Sequence, residues 1–305
     1  MGDIRLYRTT GKTVSELKGS SISIEKSLQG FIETHLNDLL GVRFLATEYL
    51  TGKTHGGRID SLGIDENGCP VILEFKRAMN ENVINQGLYY LDWLLDHKSE
   101  FEIAVEKKYD KELADKIDWS SPRLLCIAGD FTKYDIHAVR QIDRNIELIR
   151  YRNYPPDLLL LELVNVTSAD SPQETISRPD GEKKGYTYKT VYEYLNSCDS
   201  DLQDRYESLK AFAEALGDDV QVKVLKYYIA FKRINNFMCV EFAPQKKEIR
   251  VFLKIDPSTI KLENGFSRDV SNIGHYAPGD LELIITTDDD LEKAKPLIAQ
   301  SYDKM

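Results

Sequence analysis

Two short runs in the first third of the chain alternate apolar and polar side chains with a period of two. They are Gly57-Arg58-Ile59-Asp60-Ser61-Leu62-Gly63-Ile64-Asp65 and Val71-Ile72-Leu73-Glu74-Phe75-Lys76-Arg77, and Glu66-Asn67-Gly68 lies between them. Asn-Gly between apolar runs predicts a β-hairpin, with strands over 57–65 and 70–77. Alternation puts Glu74 and Lys76 on one face of the second strand and Leu73 and Phe75 on the other. Asp60 stands about as far from the turn as Glu74. Two carboxylates and an ammonium therefore converge on one patch of sheet.

The surrounding pattern frames this hairpin. Ile24, Leu28, Phe31, Ile32, Leu36, Leu39 and Leu40 recur at helical spacing and predict a helix over 24–40. Ser23 is placed to cap it, Glu25 lies in its first turn, and Gly41 ends it. A strand is expected over 43–50. A helix over 81–97 buries Val83, Leu88, Leu91, Leu94 and Leu95. A strand over 122–128 and a helical segment near 132–143 follow. Two more strands, 145–152 and 158–164, are separated by Pro155-Pro156.

Residues 167–185 are polar and rich in turn formers, the pattern of a linker. Beyond it, helices are expected over 192–195 and 202–216, and 220–228 fits either a helix or a strand. A hairpin joins 238–243 to 248–255, a strand covers 280–285, and a helix over 288–302 closes the chain. The organisation expected is an α/β domain over 1–166, a linker over 167–185 and an α+β domain over 186–305.

Charge limits the partners. The 305 residues hold 40 Lys and Arg against 50 Asp and Glu, a net charge of −10. Residues 1–170 hold 21 basic and 27 acidic side chains (−6), and residues 171–305 hold 19 and 23 (−4). Neither half is a basic nucleic-acid module on average, which counts against tight sequence-independent duplex binding. A bound metal and a local basic rim still attract phosphate on an acidic protein. The four cysteines, at 69, 126, 198 and 239, lack metal-ligand spacing and suggest a reducing, cytoplasmic setting. Cys126, within an apolar run, reads as a small buried hydrophobe. The first residues lack an apolar signal region, and no stretch approaches a membrane span.

The carboxylate pair carries the chemistry. Glu-x-Lys alone is explained by the wet face of an exposed strand. Asp60 on the paired strand and the apolar flanks Ile72, Leu73 and Phe75 make the cluster costly unless the charges are compensated. A divalent cation resolves both the burial and the mutual repulsion. Carboxylates are hard oxygen ligands suited to Mg²⁺ or Mn²⁺, and the Phe75 carbonyl offers another oxygen. Lys76 beside such an ion is placed to orient or activate a water. The loop Thr51-Gly52-Lys53-Thr54-His55-Gly56-Gly57-Arg58 and Arg77 offer cations to phosphate. Glu48 lies on the strand over 43–50, where alternation leaves it facing either the cleft or solvent.

Asp60 followed by Glu74-x-Lys76 resembles the PD-(D/E)xK nuclease superfamily, the restriction-endonuclease-like fold, over about residues 20–165. Gly57-Arg58-Ile59-Asp60 and Leu73-Glu74-Phe75-Lys76-Arg77 look closest to NucS-like prokaryotic endonucleases. Ile59 stands where the motif has proline. The resemblance implies an αβββαβ core with a mixed central sheet and Mg²⁺ or Mn²⁺ at Asp60, Glu74 and the Phe75 carbonyl. It also implies a helix-one glutamate reaching toward the metal (Glu25 before Glu33) and Gln86 beside the scissile phosphate, with Tyr90 one turn later. Tyr89, Tyr90 and Trp93 either stack bases or belong to the core. The function implied is metal-dependent hydrolysis of phosphodiester bonds, most naturally in DNA; Lys53, Arg58, Arg77 and Tyr90 are the contacts to nucleic acid. Many superfamily members act as homodimers. The alternative is a non-catalytic module on the same scaffold that binds nucleic acid or protein. The C-terminal half resembles a small domain of unknown function that follows such cores, and it has scattered positive charge suited to a nucleic acid or a protein partner.

Overall fold

The computed structural model describes residues 4–20, 25–52, 56–76, 83–167 and 190–305. They form two compact units. One draws on Met1–Ile64, Pro70–Ile117 and Pro122–Ala169; the other draws on Asp65–Cys69, Asp118–Ser121 and Asp170–Met305. Ser23, Lys53, His55, Arg77 and nearly all of the expected linker lie outside the described residues, as does the side chain of Glu25.

The first unit begins with an antiparallel ribbon, β1 (Leu6–Thr10) and β2 (Thr13–Leu17), turned at Gly11. Helices α1 (Glu25–Thr34) and α2 (Leu36–Leu40) follow, then β3 (Val42–Leu50), β4 (Arg58–Asp65) and β5 (Pro70–Lys76). Next come α3 (Val83–Asp96), α4 (Lys98–Lys108), α5 (Lys111–Asp115) and β6 (Arg123–Ala128). The unit closes with α6 (Lys133–Val139), β7 (Asn145–Tyr154) and β8 (Leu158–Thr167). The central sheet has the order β3-β4-β5-β6-β7-β8. It is mixed: β4/β5 and β7/β8 are antiparallel, while β5/β6 and β6/β7 are parallel. Strands β5 and β6 are buried on both faces, as expected of strands that helices cover on each side.

The helix expected over 24–40 is interrupted at His35, whose backbone (φ −115°, ψ 22°) leaves the helical region. Its amide still donates to the carbonyls of Phe31 and Ile32, so the apolar stripe runs on across the break. That continuity is why spacing alone reads one helix. The helix near 132–143 is shorter, held at its start by a reciprocal cap between Thr132 and Asp135. Helices α4 and α5 and the ribbon were not legible. Helix α4 buries only Phe101 and Val105, too narrow a stripe to register as periodicity.

The second unit is an α+β structure. Helices α7 (Val191–Asn196) and α8 (Ser200–Glu214) precede β9 (Gln221–Val224), β10 (Ile229–Lys232), β11 (Asn236–Ala243) and β12 (Glu248–Leu253). Strands β13 (Ser267–Asp269) and β14 (Leu281–Ile285) and helix α9 (Asp288–Asp303) complete it. Its sheet, ordered β13-β14-β12-β11-β10-β9, is antiparallel at every pairing. Leu202, Tyr206 and Leu209 of α8 and Leu291, Ala294 and Ile298 of α9 pack with Met238, Val240, Val251 and Leu283 of the sheet. The ambiguous run 220–228 opens as strand β9.

Candidate functional site

The hairpin β4–β5 keeps its ladder up to Ser61 opposite Leu73. One step further, the same register sets Asp60 opposite Glu74. Directly opposed residues of an antiparallel pair share a face. Here side chains take over from the ladder: the Asp60 amide donates to Glu74 Oε1 at 3.2 Å, and the Phe75 amide donates to Asp60 Oδ2 at 2.9 Å. The strands part where the two acids sit, and each acid accepts an amide hydrogen of the other strand. Glu74 is 0 % exposed, and Asp60 and Lys76 are partly so. Lys76 aligns with Ala128 of β6, two residues beyond Glu74 and Cys126. Glu74, Lys76, Cys126 and Ala128 thus occupy the same face, toward the carboxyl ends of the parallel strands. Burial, and then the negative charge of Glu74, push the Cys126 thiol well above its ordinary range.

Helix α3 packs on this face. A β-carbon at Gly87 would lie 2.5 Å from the Leu124 side chain, and Leu124 aligns with Ile72. Gln86 Nε2 donates to the Tyr90 hydroxyl at 3.3 Å, and that hydroxyl accepts the Arg58 amide at 3.1 Å. The expected Gln86 and Tyr90 pair therefore forms and reaches the start of β4. Tyr90 differs from expectation in role. Its ring is 6 % exposed and faces Gly57, where a β-carbon would sit 2.4 Å from Cε1. Its place is beneath the strand, so it is not a surface for bases. Trp93 is also core, at 2 %, while Tyr89 remains 47 % exposed.

Helix α1 lies against the opposite face. Ser61 Oγ donates to Glu33 Oε1 at 2.5 Å, and Ser61 points away from Asp60. Glu33 is therefore not beside the Asp60 and Glu74 side chains. The residue of α1 that meets β4 at the motif is Gln29, 5 % exposed. Its Nε2 donates to the Asp60 carbonyl at 2.8 Å and approaches Glu33 Oε1 (3.0 Å) and Thr47 Oγ1 (3.2 Å). The signal was present: Gln29 and Glu33, spaced i and i+4, border the stripe Leu28, Ile32, Leu36. Glu48 has φ +50°, a region that costs a non-glycine residue energy. Its carboxylate pairs with Lys26 at 2.7 Å and with the Arg58 guanidinium. The Lys26 hydrogen bond holds it below the usual carboxylate range.

Among the described residues no three His, Cys, Asp or Glu side chains form a metal-binding group. Asp60, Glu74 and the backbone carbonyl beside them are nevertheless the hard-oxygen donor set that Mg²⁺ or Mn²⁺ takes, with water completing the shell. The acids are also held in place by backbone amides. By donor chemistry the residues fit such an ion.

Comparison with known proteins gives these likenesses. Residues 191–304 match the family described as "Domain of unknown function (DUF5655)". An uncharacterized protein of Haemophilus influenzae is 27 % identical over 304 residues, covering 98 % of this chain and 99 % of that protein. Among solved structures, an EndoMS complex with double-stranded DNA aligns at TM-score 0.26 and 18 % identity, over 46 % of this chain and 49 % of that one. A repair endonuclease from Pyrococcus abyssi aligns at TM-score 0.25 and 16 % identity, over 47 % and 52 %. The chain thus matches about half the length of each of these two endonucleases. No helix among the described residues is long and apolar enough to cross a membrane.

Proposed function

We propose that this protein is a metal-dependent nuclease that hydrolyses phosphodiester bonds in DNA. The observation that carries the reading is the opposition of Asp60 and Glu74 across parted strands, with Lys76 two residues further on the same face. The catalytic domain is taken as 1–166, and 186–305 as a separate α+β domain.

Asp60, Glu74 and the Phe75 carbonyl would hold Mg²⁺ or Mn²⁺. Such an ion, when bound, supplies an activated water and charge stabilisation at the reacting phosphate. The protein supplies position. The amides of Asp60 and Phe75 orient the carboxylates, and Gln29 fixes the Asp60 carbonyl from the far side of the sheet. Lys76 orients water and offers its ammonium to charge developing on phosphate oxygen. Gln86, tied to Tyr90, is the neighbouring amide donor for phosphate or water. Arg58 is a nearby cation for the backbone of the nucleic acid, as are Lys53 and Arg77.

Wild type and Asp60→Ala are compared on single-stranded, duplex and branched DNA with Mn²⁺. Cleavage by the wild type, lost in the variant at unchanged circular dichroism, is the expected result. Equal cleavage by both proteins refutes the assignment, as does no cleavage by either.

A further inference from the structure

The ribbon β1–β2 is a basic arm on an acidic chain. Residues 4–20 hold Arg5, Arg8, Lys12 and Lys18 against Glu16, so 4 − 1 gives +3 where the whole chain carries −10. Apart from Leu6 and Leu17, every residue of the two strands is exposed. A hairpin with so little burial is marginal as a fold and gains little from packing. Its register gathers polar side chains on one face: Arg8 pairs with Ser15, and Thr10 pairs with Thr13, whose hydroxyls bond to each other at 2.7 Å at the turn. Arginine, serine and threonine are the side chains that meet phosphate oxygens, and a two-stranded ribbon fits the major groove of a duplex.

The root of the ribbon has a defined place. Ser20 exchanges two backbone hydrogen bonds with Asn153 of β7, each 2.9 Å. The other edge of Asn153 is taken by Leu159 of β8. Ser20 therefore occupies the edge that β6 leaves when it ends at Ala128. Asn153 lies three residues past Arg150, and Arg150, Ala128 and Lys76 share a row. With strand spacing near 4.8 Å and a rise near 3.3 Å per residue, the root is roughly 11 Å from the backbone of Lys76. It leaves the sheet at the same end as the motif.

We propose that this ribbon grips the sugar–phosphate backbone of duplex DNA whose scissile phosphate lies at Asp60 and Glu74. The proposal rests on the nuclease reading for the second half of that statement only. Positive charge held in one exposed arm also offers a chain of net −10 a local approach to a polyanion.

The test uses the full chain and a fluorescein-labelled duplex, with anisotropy read over a series of salt concentrations in Ca²⁺ to avoid cleavage. The triple variant Arg8→Glu, Lys12→Glu, Lys18→Glu is expected to weaken binding by about tenfold or more and to lower the salt slope by about 3, near 0.9 per lost phosphate contact. Glu16→Lys should tighten binding and steepen the slope, a gain that misfolding cannot mimic. Unchanged affinity and slope in both variants overturn the proposal. Equal loss on single strands and duplex also overturns it, since a groove contact requires the duplex. Binding that responds to these variants in a protein that never cleaves with Mn²⁺ upholds the ribbon and removes the nuclease reading. Cleavage with variant-insensitive binding does the reverse.

Discussion

Asp60 and Glu74 show how much one residue's place depends on its strand partner. Neither side chain alone separates a site from a solvated face; what the structure adds is their opposition across a parted ladder, with Glu74 fully buried. If they serve a metal, Glu74→Gln should lower Mn²⁺-dependent cleavage about 10²-fold or more, a loss typical of removing one charge-stabilising group. Thermal unfolding should show that the variant still folds. A different buried pair is structural. Arg123 and Glu147 form a bidentate ion pair on adjacent strands, at 2.7 and 2.9 Å, with both side chains almost fully buried. Arg123→Ala leaves Glu147 buried and unneutralised and is expected to cost about 3–5 kcal/mol in urea unfolding. A loss below about 1 kcal/mol would mean that solvent reaches the site. Cys126 is expected to resist alkylation in the folded protein at neutral pH. Its thiol is raised by burial and by Glu74, so it stays protonated until pH rises far above neutrality.

At the level of elements, the hairpin was legible because two signals agreed: an Asn-Gly turn and strict alternation on both sides. The helix stripes of 24–40 and 81–97 were legible for the same reason, and their ends less so. His35 interrupts the first while Leu28, Ile32, Leu36 and Leu40 stay buried on either side of it, with Phe31 of the expected stripe exposed, so apolar spacing does not register the break. Gln29 went unread because a polar residue beside an apolar stripe looks like surface until its target, a carbonyl on another strand, is known. Through Gln29, α1 is tied to β3 and β4 at the motif. Gln29→Leu removes a buried donor, leaves the Asp60 carbonyl to find another, and is expected to cost about 1–3 kcal/mol. Its sharper signature is local. The Phe75 amide, which donates to Asp60 Oδ2, should exchange with solvent faster in the variant than residues of β6 and β7 do. Uniform acceleration across the sheet would mean that Gln29 only stabilises the unit as a whole.

For the whole molecule, composition set limits without naming a role. A net charge of −10 counted against tight sequence-independent duplex binding and left open a site where a few residues do the chemistry. The α/β and α+β division was legible from the order of strand-like and helix-like runs, and the mixed and antiparallel sheets agree with it. The sheet order, however, follows from pairings between segments far apart in sequence, which local patterning does not encode. The ribbon escaped notice because its strands bury almost nothing. Its charge is visible in the sequence, but its position at the carboxyl end of β6 depends on a bridge to a residue 133 positions away.

Metal binding tests the central claim most directly. Mn²⁺ is titrated calorimetrically into the wild type and into Asp60→Ala, each with an uncleavable phosphorothioate duplex present. A saturable site in the wild type that vanishes in the variant, both proteins remaining folded, is the expected outcome. Identical heats in the two proteins, or a wild type that takes up no Mn²⁺, would contradict a metal centre built on these opposed carboxylates.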